Sequence, residues 1–233
     1  MGLEVSRGGA IDDELVDWTP ELALEPALAR YRLGWFPMPL AGGYGWFLPA
    51  RRAVLVIGVD QPRVTRSTRK AGRRLEVRIA RDPLEVAELC RTHPRPGGWI
   101  DAGLVALYRA CAEVGACLGV EARDSSGALV GGLFGIALGE LLVGESMVSL
   151  SANASKVALA ALAASATLAG LRVIDGQWPT PHLASLGFRA IDRDGFDRLR
   201  ATLRLDPGSG FRPGAVLSRV AGDSAGAMPP AAG

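Results

Sequence analysis

The chain has 233 residues, 48% of them hydrophobic and 21% charged, with a formal net charge of +2; it can build one or two domains around a sizeable core, and it is too near neutral to coat nucleic acid over its whole surface. Two histidines and three cysteines without a CxxC pair exclude a structural zinc module, which needs about four clustered nitrogen and sulfur ligands, and they predict free cysteines in a reducing cytoplasm. The neutral total conceals an asymmetry: residues 1–30 carry seven acids against Arg7 and Arg30, whereas residues 51–81 carry ten basic residues against Asp60 and Glu76, a local net of +8.

Residues 1–17 lack periodicity and read as loose. Thr19-Pro20-Glu21 has the cap, proline and acid of a helix start, and the apolar positions Leu22, Leu24, Ala27, Leu28 and Tyr31 continue the pattern to Gly34. Trp35 to Pro39 is too aromatic for a polar loop and too proline-rich for a strand, and Gly42 to Gly45 turn the chain into Trp46-Phe47. An apolar strand over 53–59 precedes the arginine-dense stretch, and 75–79 alternates like a strand with one wet face. Helices are predicted from Asp82 through Cys90 and over 102–114. The centre reads as a meander of strands over 118–123, 129–138 and 141–149, with Asp124-Ser125-Ser126-Gly127 as a hairpin turn.

Ser151 or Asn153 then caps a buried helix over 154–168. The longest apolar run, the 15 residues from Val157 to Leu171, falls short of the about 20 that a bilayer requires. A buried strand over 171–175, a short helix over 182–186, a strand over 187–191 and a helix over 192–205 follow. This order predicts an α+β protein with a largely antiparallel sheet: a small N-terminal domain over 1–60, a larger sheet domain over 61–205, and a disordered Pro/Gly/Ala/Ser-rich tail over 206–233.

Two carboxylates stand where carboxylates are unusual. Glu145 lies inside Leu141-Leu142-Val143-Gly144-Glu145-Ser146-Met147-Val148, and Asp175 ends Leu171-Arg172-Val173-Ile174 with Gln177 two positions on. Burying an ionised carboxylate is costly unless it is paired or hydrogen-bonded, so such residues need a reason. Catalysis is one; an exposed edge position for Glu145 and a strand-end cap for Asp175 are the others. Gly131, Gly132, Gly135, Gly139 and Gly144 open a groove or permit close backbone approach. Leu133, Phe134, Leu142 and Met147 either line an apolar pocket there or pack an ordinary core. Trp35, Trp46 and Trp99 sit in Gly/Pro-rich stretches, where aromatic faces can stack on bases or pack between domains. Arg63, Arg66, Arg69, Lys70, Arg73 and Arg74 form either a solvated face or a patch that binds a polyanion through its phosphates.

Gly144-Glu145-Ser146-Met147, Asn153-Ala154-Ser155-Lys156, Ile174-Asp175-x-Gln177 and Pro179-Thr180-Pro181-His182-Leu183-Ala184-Ser185-Leu186-Gly187 occur in that order. With Trp35-Phe36-Pro37-Met38, Arg52-Ala53-Val54-Leu55, Trp99-Ile100 and Gly131-Gly132 upstream, the chain from about residue 28 to 205 resembles the leucyl/phenylalanyl-tRNA–protein transferase family. The resemblance implies a GNAT-like acyltransferase domain that moves Leu, Phe or Met from aminoacyl-tRNA to the α-amino group of proteins beginning with Arg or Lys, marking them for degradation. It implies that Asp175 and Gln177 assist proton movement and that Glu145 holds an amine. Leu133, Leu142 and Met147 would receive the transferred side chain, Trp99 would serve the terminal adenosine of the tRNA, and Met38 and Trp46 would join them in binding substrate. Arg66, Arg69, Lys70, Arg73 and Arg74 would meet its acceptor stem. No cofactor or metal is implied, since the aminoacyl ester is already activated.

The chain departs from the family pattern at Leu118, Gly119, Phe47, Val148, Leu150 and Met38. An acyl-CoA-dependent GNAT-type N-acyltransferase and a non-catalytic tRNA- or peptide-binding relative are the alternatives.

Overall fold

Two sheets carry the α+β architecture. The structure, a computed structural model, describes residues 14–94 and 98–217. After β1 (Leu15–Thr19) and α1 (Leu24–Arg32), β2 (Phe36–Leu40) and β3 (Gly43–Phe47) complete an antiparallel sheet in the order β1-β3-β2. Then come β4 (Arg51–Val56), α2 (Arg66–Gly72), β5 (Glu76–Ile79), α3 (Pro83–Thr92) and α4 (Ala102–Glu113). The meander is β6 (Cys117–Arg123), β7 (Leu129–Leu138) and β8 (Leu141–Ser149). It leads to α5 (Ala154–Ser165) with a 3-10 turn behind it, β9 (Val173–Asp175), α6 (Pro181–Leu186), β10 (Arg189–Asp192) and α7 (Arg193–Arg200). The second sheet has the order β10-β4-β9-β8-β7-β6-β5; β8 and β9 run parallel, and its other pairs are antiparallel.

Its two faces are covered by different elements. Val54, Phe134, Ile136, Val143, Val148 and Val173 pack with buried residues of α1, α3, α4 and the N-terminal sheet. Leu55, Leu133, Leu142 and Ile174 pack with α5, with Leu186 of α6 and with Ala71 of α2. β4 lies on the N-terminal side of the boundary expected near residue 60, yet it is hydrogen-bonded between β10 and β9.

Several local expectations are corrected. The first helix starts at Leu24, because Thr19 belongs to β1: it pairs with Tyr44, and its Oγ1 accepts the Trp46 Nε1–H at 3.1 Å. The proline-rich Phe36–Leu40 is a strand after all. Pro37 and Pro39 share one side of β2, and β2 is an edge, so their missing N–H groups leave no ladder bond unmade. The arginine-dense stretch contains α2, capped where Thr65 Oγ1 accepts the Thr68 N–H. Asn153 makes no side-chain cap; Ser149 Oγ accepts the Ser155 N–H at 2.9 Å instead.

The tail is also corrected over its first half. The chain returns along the open edge of β5, where Gly214 N–H donates to Ile79, Ile79 N–H to Ala215 and Leu217 N–H to Val77. An edge strand presents unpaired backbone groups, and this strap satisfies them while burying Leu217 to 6% exposure. Residues 1–13 and 218–233, the rest of the stretches expected to be loose, lie outside the described residues.

Candidate active site

β7 and β8 pair regularly until Phe134 faces Ser146, whereas the next residue, Gly135, faces Gly144. Glu145 is therefore the extra residue of a β-bulge. The slip re-aims β8: Leu142 and Met147 both pack on the α5 side, while Val143 and Val148 both pack on the α1–α4 side. Uninterrupted alternation would separate the members of each pair. Gly135 permits the close approach, since a Cβ there would lie 2.2 Å from the Val143 carbonyl oxygen.

Glu145 is 7% exposed and turns toward α1 and α4. Its Oε1 accepts the Tyr31 hydroxyl at 2.9 Å and its Oε2 accepts the Tyr108 hydroxyl at 2.8 Å. Burial pushes the carboxyl up to about 7; the Tyr108 and Tyr31 hydroxyls and Arg52 oppose that rise, and Asp175 adds to it. Both phenols are themselves held well above their usual range, chiefly by burial, so they remain donors. Trp46 stands edge-on to Tyr31, with centroids 5.9 Å apart, and Phe134 does the same for Tyr108 at 5.0 Å.

Asp175 pairs across the sheet with Val54 on one side and Val143 on the other, which sets its side chain on the same face as Glu145. Arg52, two positions before Val54, shares that face. Its guanidinium grips Asp175 twice, Nε to Oδ1 at 2.7 Å and Nη2 to Oδ2 at 2.5 Å, with side-chain exposures of 1% and 0%. Phe36 and Phe196 lie 5.0 and 4.7 Å from the guanidinium carbon. Asp175 Oδ1 also accepts the Gln177 N–H at 2.8 Å, and Gln177 has φ +63°, in the left-handed region. Two buried donors of this group, Arg52 Nη1 and Gln177 Nε2, have no partner among the described residues. An unpaired buried donor costs about 1–3 kcal/mol, so an incoming acceptor is favoured there.

β9 pairs with β8 only over Leu141–Val143. Beyond that point β8 continues to Ser149, while the other chain turns away through Gly176 and Gln177. The β8 edge from Gly144 onward thus has no strand partner on that side among the described residues. Glu145 and Asp175 flank this opening from the α1–α4 side; on the other face Leu133 and Leu142 are buried in the core under α5, and the half-buried Met147 packs against them.

The structure thus gathers Glu145, Asp175 and Gln177, and sets the three apolar residues on the opposite face of the sheet. Met38 and Trp99 are half-buried against the α1–α4 core. Trp46, expected to offer a stacking face, is 1% exposed; its ring is spent on Tyr31 and its N–H on Thr19, so it supports the site from behind. Arg66, Arg69, Lys70, Arg73 and Arg74 are exposed on α2 and just after it, and none pairs with an acid among the described residues. Sequence reasoning missed Arg52, Tyr31 and Tyr108. The signals were there: an arginine inside an apolar strand needs a buried acid, and a tyrosine on an apolar helical face needs a partner for its hydroxyl.

Comparison with known proteins points one way. A family profile described as leucyl/phenylalanyl-tRNA protein transferase matches residues 56–201, a span that includes Glu145, Asp175 and Gln177. A leucyl/phenylalanyl-tRNA–protein transferase of Paracoccus denitrificans is 37% identical over 188 residues, covering 79% of this chain and 87% of that one. One from Azoarcus sp. is 44% identical over 180 residues, 75% of each chain. One from Thiobacillus denitrificans is 40% identical over 194 residues, covering 78% of this chain and 81% of that one.

Proposed function

Because the chain belongs to the leucyl/phenylalanyl-tRNA–protein transferase family, we propose that its buried carboxylates and the open edge of β8 carry out aminoacyl transfer. The protein is an aminoacyltransferase that moves leucine or phenylalanine from tRNA to a protein N-terminus. Methionine as a further donor residue, acceptors beginning with Arg or Lys, and tagging for degradation complete this reading.

The acceptor amine attacks the ester carbonyl carbon. A C–N bond forms, the C–O bond to the terminal ribose breaks, the amine loses a proton and the ribose hydroxyl regains one. The ester is already activated, so the protein must position the reactants, remove the proton and stabilise the oxyanion. Glu145 is the acceptor for that proton: it is a carboxyl poised at about 7 beside the opening. The Gln177 amide, a buried donor with no partner, suits the carbonyl oxygen as charge develops on it. Asp175 fixes Gln177 through its backbone N–H.

Leu133, Leu142 and Met147 take the transferred side chain on the α5 side of the opening. Such a pocket discriminates at about 1–3 kcal/mol per methylene. Trp99 and Met38 meet the terminal adenosine, and the exposed arginines of α2 track the acceptor stem. The seven-stranded sheet, β4 included, is the GNAT-like unit, and the segment before β4 is the small N-terminal unit. Among the described residues no helix is long and apolar enough to cross a membrane, and the substrates place the reaction in the cytoplasm.

The observation that carries this reading is the family match together with Glu145, Asp175 and Gln177 meeting at one unpaired strand edge. Incubation with Leu-tRNA and an Arg-initiated peptide is expected to give transfer, lost by about 100-fold or more in Glu145→Gln. Binding of tRNA without transfer would reassign the chain as a binding relative, and consumption of acetyl-CoA would reassign it as an acyl-CoA enzyme.

A further inference from the structure

We infer that Arg52 is a positioning residue for this reaction, acting through Asp175 to hold Gln177 in the one backbone conformation that presents its amide to the substrate. The inference rests on the aminoacyl-transfer reading and adds to it a residue outside the matched span of 56–201.

Three observations carry it. First, both oxygens of Asp175 are bound by a guanidinium that is itself buried, and Oδ1 is left one further partner, the Gln177 N–H. Rotation of the carboxylate would break all three bonds, so the pair behaves as one rigid unit with Gln177 attached. Second, Gln177 stands at φ +63°, a region few residues other than glycine occupy, and two bonds hold it there: its N–H donates to Asp175 Oδ1, and its carbonyl oxygen accepts the N–H of Ala53, the neighbour of Arg52, at 2.8 Å. Third, the next residue is pinned to the same scaffold. The Trp178 ring meets Phe36 edge-on at 4.6 Å and Phe47 at 5.3 Å, and its Nε1–H donates to Glu14 at 2.7 Å. Phe36 is also one of the two rings against the Arg52 guanidinium. Guanidinium, carboxylate, the Gln177 backbone and the Trp178 ring thus form a closed loop of contacts, and the side-chain Nε2 of Gln177 is a buried donor without a partner among the described residues.

Lysine has a point charge and cannot reproduce the twofold grip, so Arg52→Lys separates charge from geometry. With Leu-tRNA and an Arg-initiated peptide, R52K is expected to lower kcat at least about 10-fold while KM for both substrates stays within about twofold and circular dichroism reports a fully folded chain. The double variant R52M/D175N removes both charges together. It is expected to retain folding and thermal midpoint but not to recover kcat, because the twofold grip that orients the side chain at position 175 toward the Gln177 N–H is gone. A wild-type kcat in R52K, or recovery of kcat in R52M/D175N, would overturn the proposal, as would loss of folding in both variants, which would assign the pair to stability alone. Absence of transfer by the wild-type protein would instead sink the aminoacyl-transfer reading.

Discussion

The Tyr31 hydroxyl lies 2.9 Å from Glu145 Oε1, joining the first helix to a strand 114 residues further along. That bond favours the charged form of a carboxyl that burial would otherwise keep neutral. Tyr31→Phe is therefore expected to move the acidic limb of the transfer rate to higher pH and to cost about 1–3 kcal/mol of stability at pH 8. A pH–rate profile beside a urea titration measures both. A limb that stays in place would mean that Glu145 is not the group whose ionisation governs the rate.

The same carboxyl couples stability to pH. Its folded-state value of about 7 lies above its ordinary 4.5, so between these limits the folded chain keeps a proton that the unfolded chain has lost. Stability is then greatest below the lower limit, falls as pH rises through the window and levels off above it, a total of about 3 kcal/mol for this group. Glu145→Gln is expected to flatten that dependence. Equal slopes in wild type and variant between pH 5 and 7 would contradict the burial argument.

The bulge supplies a packing test. A Cβ at position 135 would meet the Val143 carbonyl oxygen at 2.2 Å, backbone that has no room to yield. Gly135→Ala is expected to destabilise the protein by about 1–3 kcal/mol and to impair transfer through displacement of Glu145. Gly127→Ala is the control for space, since nothing lies within 4 Å of its added Cβ, although its φ of +83° carries a separate backbone cost. Thermal unfolding of both variants separates close packing from backbone strain.

Replacing Arg69 and Arg73 by alanine probes the exposed face of α2. Each phosphate that is no longer neutralised is expected to reduce the salt dependence of tRNA affinity by about one unit of log–log slope, with the thermal midpoint unchanged. An unaltered slope would remove this helix from the tRNA interface.

Much of the fold was legible in the sequence, and for definite reasons. The limits of β7 and β8 read from the sequence coincide with those observed, because long apolar runs ending at turn residues admit little else. Asp82 caps α3 as the helix start read there implies, and α4 begins at Ala102 as expected, with Asp101 as a cap that was not read from the sequence. What the sequence concealed was the meeting of distant segments. Arg52 reads as one more cation in a basic stretch until Asp175 is seen against it. Tyr31 and Tyr108 read as apolar helix positions, and only the bulge at Glu145 brings an acceptor to both hydroxyls. The strap over β5 was hidden for a related reason: its Pro/Gly/Ala composition lacks a strand pattern, and its order comes from the edge it covers.

The interior position of β4, between β10 and β9, has a consequence for synthesis. Arg52 leaves the ribosome 123 residues before Asp175 does, an interval of roughly 6–25 s at about 5–20 residues per second. Throughout that interval the growing polypeptide carries an unmatched cation, and β4 lacks both of its strand neighbours, β9 and β10. The buried pair, and with it the site built on Asp175 and Gln177, therefore stays incomplete until β9 has been made.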